Sequence, residues 1–232
     1  MKKVSLLLCL TLAFLSVSAQ ETYDKKAVFK NNGFWDNWFI GAGARGNVYF
    51  GDGDDEADFL NRPSLGGSLF VGKWFTPKIG ARLAFEGGSI HQFSKGFDVM
   101  NHQHYVGGHV DALFNLTNML CGYNPNRFYN FIPYVGLGIN HGFDADWKSV
   151  ENNTVTFNAG FLNTFRLSNK LSAFIEISGS VLDDDFDYQP GGDWSYDGLL
   201  GGTAGLILNL GSTATFVPVG NTDQALIDDL NS

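Results

Sequence analysis

Cysteine is scarce: Cys9 and Cys121 are the two in 232 residues. Cys9 falls inside an N-terminal apolar run expected to be removed, so the mature chain keeps one thiol, which cannot close an internal disulfide. Too little hydrophobic segment precedes Cys9 for a lipoprotein signal. A secreted chain without staples must be held by its own fold or by lipid. Cations are scarce too, with 15 Lys and Arg against 24 Asp and Glu, a net charge of -9. Loss of Lys2 and Lys3 with the leader leaves 13 cationic residues and a net charge of -11. Nucleic-acid binding needs a basic footprint, so that partner class is excluded. Beyond the leader no segment is a candidate for a membrane-spanning helix, which needs ~20 apolar residues.

The leader itself has three zones. Lys2 and Lys3 give a positive start, Leu6 to Val17 an apolar run, and Val17-Ser18-Ala19 a small-x-small site. Cleavage is expected between Ala19 and Gln20, making residues 1–19 a signal peptide and residues 20–34 an N-terminal periplasmic segment.

Aromatic residues, by contrast, reach 15%, with 21 Phe, and glycine numbers 29. That composition suits strands with an apolar exterior and a tightly packed interior. Period-two alternation recurs over eight runs separated by turn signals. They span Trp38–Phe50, Leu65–Trp74, Ile79–Ile90, His104–Leu116, Phe131–His141, Thr154–Leu167, Leu171–Leu182 and Tyr196–Leu210. In the first, Trp38, Ile40, Ala42, Ala44, Val48 and Phe50 share one face and Phe39, Gly41, Gly43, Arg45, Asn47 and Tyr49 the other. The same parity puts Leu83, Val110, Phe157, Ile175 and Ala204 on the apolar face. Leu65–Trp74 carries large residues on both faces and leaves its own assignment open.

Each run is long enough for a tilted membrane strand of ~9–11 residues, and an even number closes an up-and-down barrel without a free edge. The gaps 51–64, 91–103, 142–153 and 183–195 are long, whereas 75–78 and 168–170 are short; 117–130 is a long exception. Long loops outside and tight turns in the periplasm is the rule for outer-membrane barrels, which puts both chain ends in the periplasm. A soluble sandwich or lipocalin-like barrel has the same period with its faces inverted. The membrane form is favoured by a polar face rich in Gly and poor in Lys, and by charges concentrated in the loops. Aromatics at run ends (Trp38, Phe50, Trp74, Phe131, Phe165 and Tyr196) fit interfacial girdles. The expected fold is therefore all-β, an eight-stranded antiparallel up-and-down transmembrane β-barrel over residues 35–211. Residues 212–232 would be a C-terminal periplasmic tail or the start of a linker.

Phe131-Ile-Pro-Tyr-Val-Gly-Leu-Gly-Ile139 resembles the N-terminal barrel of OmpA-type outer-membrane proteins. Trp38-Phe-Ile-Gly-Ala-Gly-Ala44, Val71-Gly-Lys-Trp-Phe-Thr-Pro77 and Ala173-Phe-Ile-Glu-Ile177 support the resemblance. It implies an eight-stranded barrel that supports outer-membrane integrity, often followed by a periplasmic peptidoglycan-binding domain. The stretch after Gly211 departs from that plan, so cell-wall tethering is not carried over.

The inner face is expected to hold Arg45, Arg82, Glu86, His109, Asp111, Arg166 and Glu176. Charges in a narrow low-dielectric interior need partners, so these residues read as an ion-pair network that plugs the lumen. Glu86, His109 and Asp111 are also acid–base types, but nothing supplies a nucleophile or a cleft. Inward glycines are expected to leave room for local water pockets beside the wall. Asp52, Asp54, Asp55, Glu56 and Asp58, and then Asp183, Asp184, Asp185, Asp187, Asp193 and Asp197, make the loops acidic. Neither cluster has Ca-loop spacing, so a solvated loop, loosely bridged through divalent cations to lipid headgroups, is the reading adopted. His91, His102, His104 and His141 fall at run ends or loops, and Ser89 near His91 is a weak hydrolase signal. Gly41-Ala-Gly43 and Gly136-Leu-Gly138 lie within strands and are packing features, not dinucleotide motifs. No cofactor or metal is called for. The function expected is a non-enzymatic structural role in the outer membrane, with outer-membrane lipids and lipopolysaccharide as partners. A small-solute channel and a surface-interaction protein acting through the acidic loops are the alternatives.

Overall fold

The computed structural model describes residues 27–30, 33–50, 62–94, 99–183, 196–210 and 215–219. The leader, the acidic stretches 51–61 and 184–195 and most of the C-terminal tail lie outside the described residues. Eight strands form one closed antiparallel barrel in sequence order. They are β1 Trp38–Phe50, β2 Ser64–Trp74, β3 Ile79–Ser94, β4 Val99–Phe114, β5 Tyr129–Phe143, β6 Ser149–Arg166, β7 Leu171–Asp183 and β8 Tyr196–Leu210. Closure comes from β1 pairing with β8, from Trp38↔Leu210 to Phe50↔Gly198.

All eight expected runs are strands, and two expected loops are largely strand as well. Residues 91–103 continue β3 and β4 as a ladder from His91↔His102 to Ser94↔Val99. Residues 142–153 shrink to a connection between Phe143 and Ser149, next to a register shift at His141/Phe143. Polar residues inside those runs hid the extension, because a strand beyond an apolar belt has no need of an apolar face. At ~3.3 Å per residue, the 16 residues of β3 reach ~50 Å, well beyond a ~25 Å apolar band even when tilted.

Turn chemistry holds the opposite end. Thr76 Oγ1 accepts from the backbone amides of Lys78 (3.2 Å) and Ile79 (2.9 Å), closing the β2–β3 turn. Ser168 Oγ does the same for Lys170 and Leu171 in the β6–β7 turn. The long exception contains a short helix, α1, Leu116–Cys121, capped by Asn115, whose side chain accepts from the Asn118 amide at 2.9 Å. Asn118 Nδ2 then donates to the Pro77 carbonyl at 2.8 Å and ties α1 to the β2–β3 turn. Phe29 and Pro218 form an isolated antiparallel bridge beside this end. Phe29, Tyr123 and Phe216 pack edge-to-face there, with ring centroids 5.3–6.2 Å apart.

The faces follow the alternation. A belt of apolar side chains points outward at mid-height, including Leu83, Val110, Leu137, Phe157 and Ile175, all exposed. Strand β2 is resolved: Leu65 and Leu69 are exposed and Phe70 is buried. Trp74 corrects the girdle assignment, because it packs inward against Phe39 at 6.1 Å. Trp38 does sit at the rim, its indole donating to the Phe34 carbonyl at 2.6 Å. Beside it, Lys73 Nζ is held by the carbonyls of Gly33, Phe34 and Asp36 at 3.2, 2.7 and 2.5 Å.

Leu83→Arg, at the middle of the belt, should cost about 2–4 kcal/mol of folding free energy in a bilayer, because a charge there must leave water. Reversible unfolding in liposomes measures it; parental stability for this variant would refute the assignment of the outer face.

Candidate functional site

Three layers fill the barrel. Toward the short-turn end, Phe39, Phe70, Leu113, Ile132, Leu162 and Phe174 belong to an apolar cluster. Toward the long-loop end, Tyr49, Ile90, Tyr105, Leu182 and Leu199 form a second one. Charged residues lie between them on β4 and β7, where three inward positions separate Leu113 from Tyr105 and Phe174 from Leu182, and on β1, where Arg45 lies between Phe39 and Tyr49.

Arg82 is the hub of the middle layer. Its Nε meets Asp111 Oδ2 at 2.6 Å, and its two terminal nitrogens meet both oxygens of Glu176 at 2.8 and 2.6 Å. The bidentate fork joins β3 to β7 across the lumen and so crosses it rather than lining it. Tyr134 donates to Glu176 Oε1 at 2.5 Å, and its ring lies 4.3 Å from the Arg82 guanidinium carbon. Arg45 makes the second centre: Nη1 is 2.9 Å from Glu86 Oε2 and from Ser178 Oγ, while Nε donates to Asn47 at 2.6 Å. His109 links the two, with Nδ1 2.7 Å from Asp111 Oδ1 and Nε2 3.9 Å from Glu86 Oε2. Arg45, Arg82, Glu86, His109, Asp111 and Glu176 are all buried.

Arg166 departs from the expected network. It sits at the end of β6, partly exposed, and donates to Asn169 in the β6–β7 turn at 2.5 Å. Its parity is inward, but its height puts it at the short-turn mouth, beyond the apolar layer. There it lines a cavity of about 500 Å³, together with Trp74, Arg127 and Lys170. Alternation reports the face of a residue and not its height, so sequence alone could not separate Arg166 from the other two arginines.

Several network members were missed. Tyr105, Asn47 and Ser178 share the inward parity, yet a neutral side chain gives no signal that it will serve an ion pair. The glycines also behave otherwise than expected. A Cβ at Gly201 would collide with the Arg45 guanidinium, and one at Gly136 with the Asp111 carboxylate. These positions are filled by neighbouring head groups and leave no room for water at the wall.

No protein-family model matches the chain. It is 33% identical to outer membrane protein 40 of Porphyromonas gingivalis strain W83, aligning over 100% of this chain and 64% of that protein. It is 32% identical to outer membrane protein 41 of the same strain, over 89% of this chain and 56% of that one. The chain is a homologue of these outer-membrane proteins. It spans about three-fifths of their length. The barrel also superposes on the crystal structure of Neisserial surface protein A with a TM-score of 0.55 at 6% identity, covering 75% of this chain and 97% of that one. At that identity the likeness is one of fold: a closed eight-stranded outer-membrane barrel.

In an outer-membrane barrel the remaining sequence candidates fall on the outside or at the loop end. Ser89 faces outward and pairs with His104 rather than His91, Oγ to Nδ1 at 3.0 Å. The Trp147 ring is stacked 4.0 Å from the His104 ring, and among the described residues no carboxylate joins the pair. His141 Nδ1 meets Asn153 at 2.8 Å. Asp197, expected in a solvated loop, is instead buried and accepts from the Tyr49 hydroxyl. Among the described residues no cluster is suited to a metal ion. The other acidic positions lie outside the described residues or have no described side chain.

Arg82→Ala leaves Asp111 and Glu176 buried without their cation and should destabilise the barrel by about 3–5 kcal/mol. Arg166→Ala, at the partly exposed mouth, should cost about 1 kcal/mol or less. Paired unfolding curves in the same lipid test both; equal losses would refute the separation of Arg166 from the network.

Proposed function

We propose that the barrel is a non-enzymatic, structural component of the outer membrane with a closed interior. The observation that carries this reading is the Arg82 fork between Asp111 and Glu176, stacked between two apolar layers. Eight strands enclose a space just wide enough for side chains to fill, and here both sides of the charged layer are occupied by rings and branched chains. Outer-membrane lipids, lipopolysaccharide among them, are the partners on this reading. Residues 1–19 export the chain, and both ends of the mature chain face the periplasm. The tight β2–β3 and β6–β7 turns support this orientation, because short turns face the periplasm in such barrels.

Two measurements test the proposal. In planar bilayers the refolded protein should give no frequent, uniform openings at neutral pH, whereas Arg82→Ala should open more often. Steady openings in the parent would favour the channel. For orientation, Cys121 is an exposed thiol at the short-turn end. A bulky, membrane-impermeant maleimide should spare it in intact cells and label it after permeabilisation. It should label Asp146→Cys, in the β5–β6 connection, on intact cells. The reverse pattern overturns the orientation.

A further inference from the structure

The short-turn mouth has a chemistry unlike the rest of the chain. The sequence carries 24 acidic residues against 15 basic ones. Yet among the described residues the roughly 500 Å³ cavity is lined by three cations, Arg127, Arg166 and Lys170, and by no carboxylate. None of the three has an ion-pair partner among the described residues. Among the described residues the mouth is therefore a local positive field in a negative molecule.

Its neutral polar lining is equally biased. Eight of the described lining residues are asparagines. Each offers two donors and an acceptor on a short, stiff stem. Three lining residues also hold buried polar atoms that have no partner among the described residues: Asn37 Nδ2, Asn118 Oδ1 and Arg127 Nε. All three side chains belong to residues more than nine-tenths buried. The asparagine lining presents both donors and acceptors, so its complement must both accept and donate, as hydroxyl groups do. Trp74, Phe39 and Phe216 supply flat apolar surface in the same cavity. The apolar layer of Phe39, Ile132, Leu162 and Ile207 is its floor and separates it from the Arg82 network.

We propose that this mouth is a binding site for a small anionic saccharide. The cations take its carboxylate or phosphate, the asparagines its hydroxyls, and an aromatic ring its apolar face. A cavity of about 500 Å³ lies within the range of small-molecule sites. Arg127 is held ready, its Nη2 donating to the Gly122 carbonyl at 2.7 Å. Arg166 is fixed through its own amide, which donates to the Phe128 carbonyl at 2.7 Å. The inference is independent of whether the interior conducts, because the site lies outside the apolar floor.

Isothermal titration calorimetry on the full chain, refolded in nanodiscs, tests it with glucuronate, glucose 6-phosphate, glucose and inorganic phosphate. Saturable binding of glucuronate or glucose 6-phosphate, with glucose and inorganic phosphate each at least about tenfold weaker, is the result expected. Binding of one charged sugar and not the other identifies the anion as carboxylate or phosphate. Arg166→Gln and Lys170→Gln, both at partly or fully exposed positions that leave the barrel intact, should each weaken the charged sugar about tenfold. Lys148→Gln at the opposite end should leave its binding unchanged. Absence of saturable binding for both charged sugars overturns the proposal, as does equal binding of inorganic phosphate, or binding indifferent to both mouth variants.

Discussion

The pairing of β1 with β8 is the constraint on which everything else depends. In hydrocarbon an unpaired backbone amide or carbonyl costs several kcal/mol, so a sheet survives there only when it has no edge. The ladder from Trp38↔Leu210 to Phe50↔Gly198 removes both edges at once. Closure at eight strands then fixes the width of the interior, and with it what the inward side chains must be: large enough to meet and, if charged, complementary.

That width explains the Arg82 centre. An arginine reaching from one wall of so narrow a ring arrives at the other, where Glu176 stands, while Asp111 meets it from the adjacent strand. The ion pairs are thus a cross-brace, and the glycines facing Arg45 and Asp111 are the space that the brace requires. The Arg45 half is less complete, because Arg45 Nη2 and Asn47 Nδ2 have no partner among the described residues. The two apolar layers keep water from both halves, which strengthens each ionic contact and raises the cost of leaving one unmade. At the mouth, beyond those layers, different rules apply, and Arg166 and Lys170 stand near solvent with no carboxylate partner among the described residues.

Much of the architecture was legible because alternation is a local property. Strands β1 and β8 have the bounds their period shows, and the outward positions of Leu83, Val110 and Ile175 follow from parity alone. Legibility failed where the environment changed along a strand. Residues 91–94 and 99–102 mix His, Gln, Ser and Asn with Phe93, Val99 and Met100 and lack a clean apolar face where they rise beyond the belt, so they were read as loop. Trp74 was given to the outer girdle because an aromatic at a strand end fits either rim, outside or in.

By itself the sequence determined the fold class, the number of strands, the two faces and the identity of six of the seven residues expected in the charged layer. Each follows from period two and from the rule that buried charge needs a partner. Only the tertiary structure decided which charges meet, because partnership across the lumen depends on register and closure between strands far apart in sequence, such as Arg82 and Glu176. Height along the barrel axis is likewise a property of the assembled ring. It is what divides Arg82, sealed between apolar layers, from Arg166, of the same residue type and parity, which stands at the open mouth.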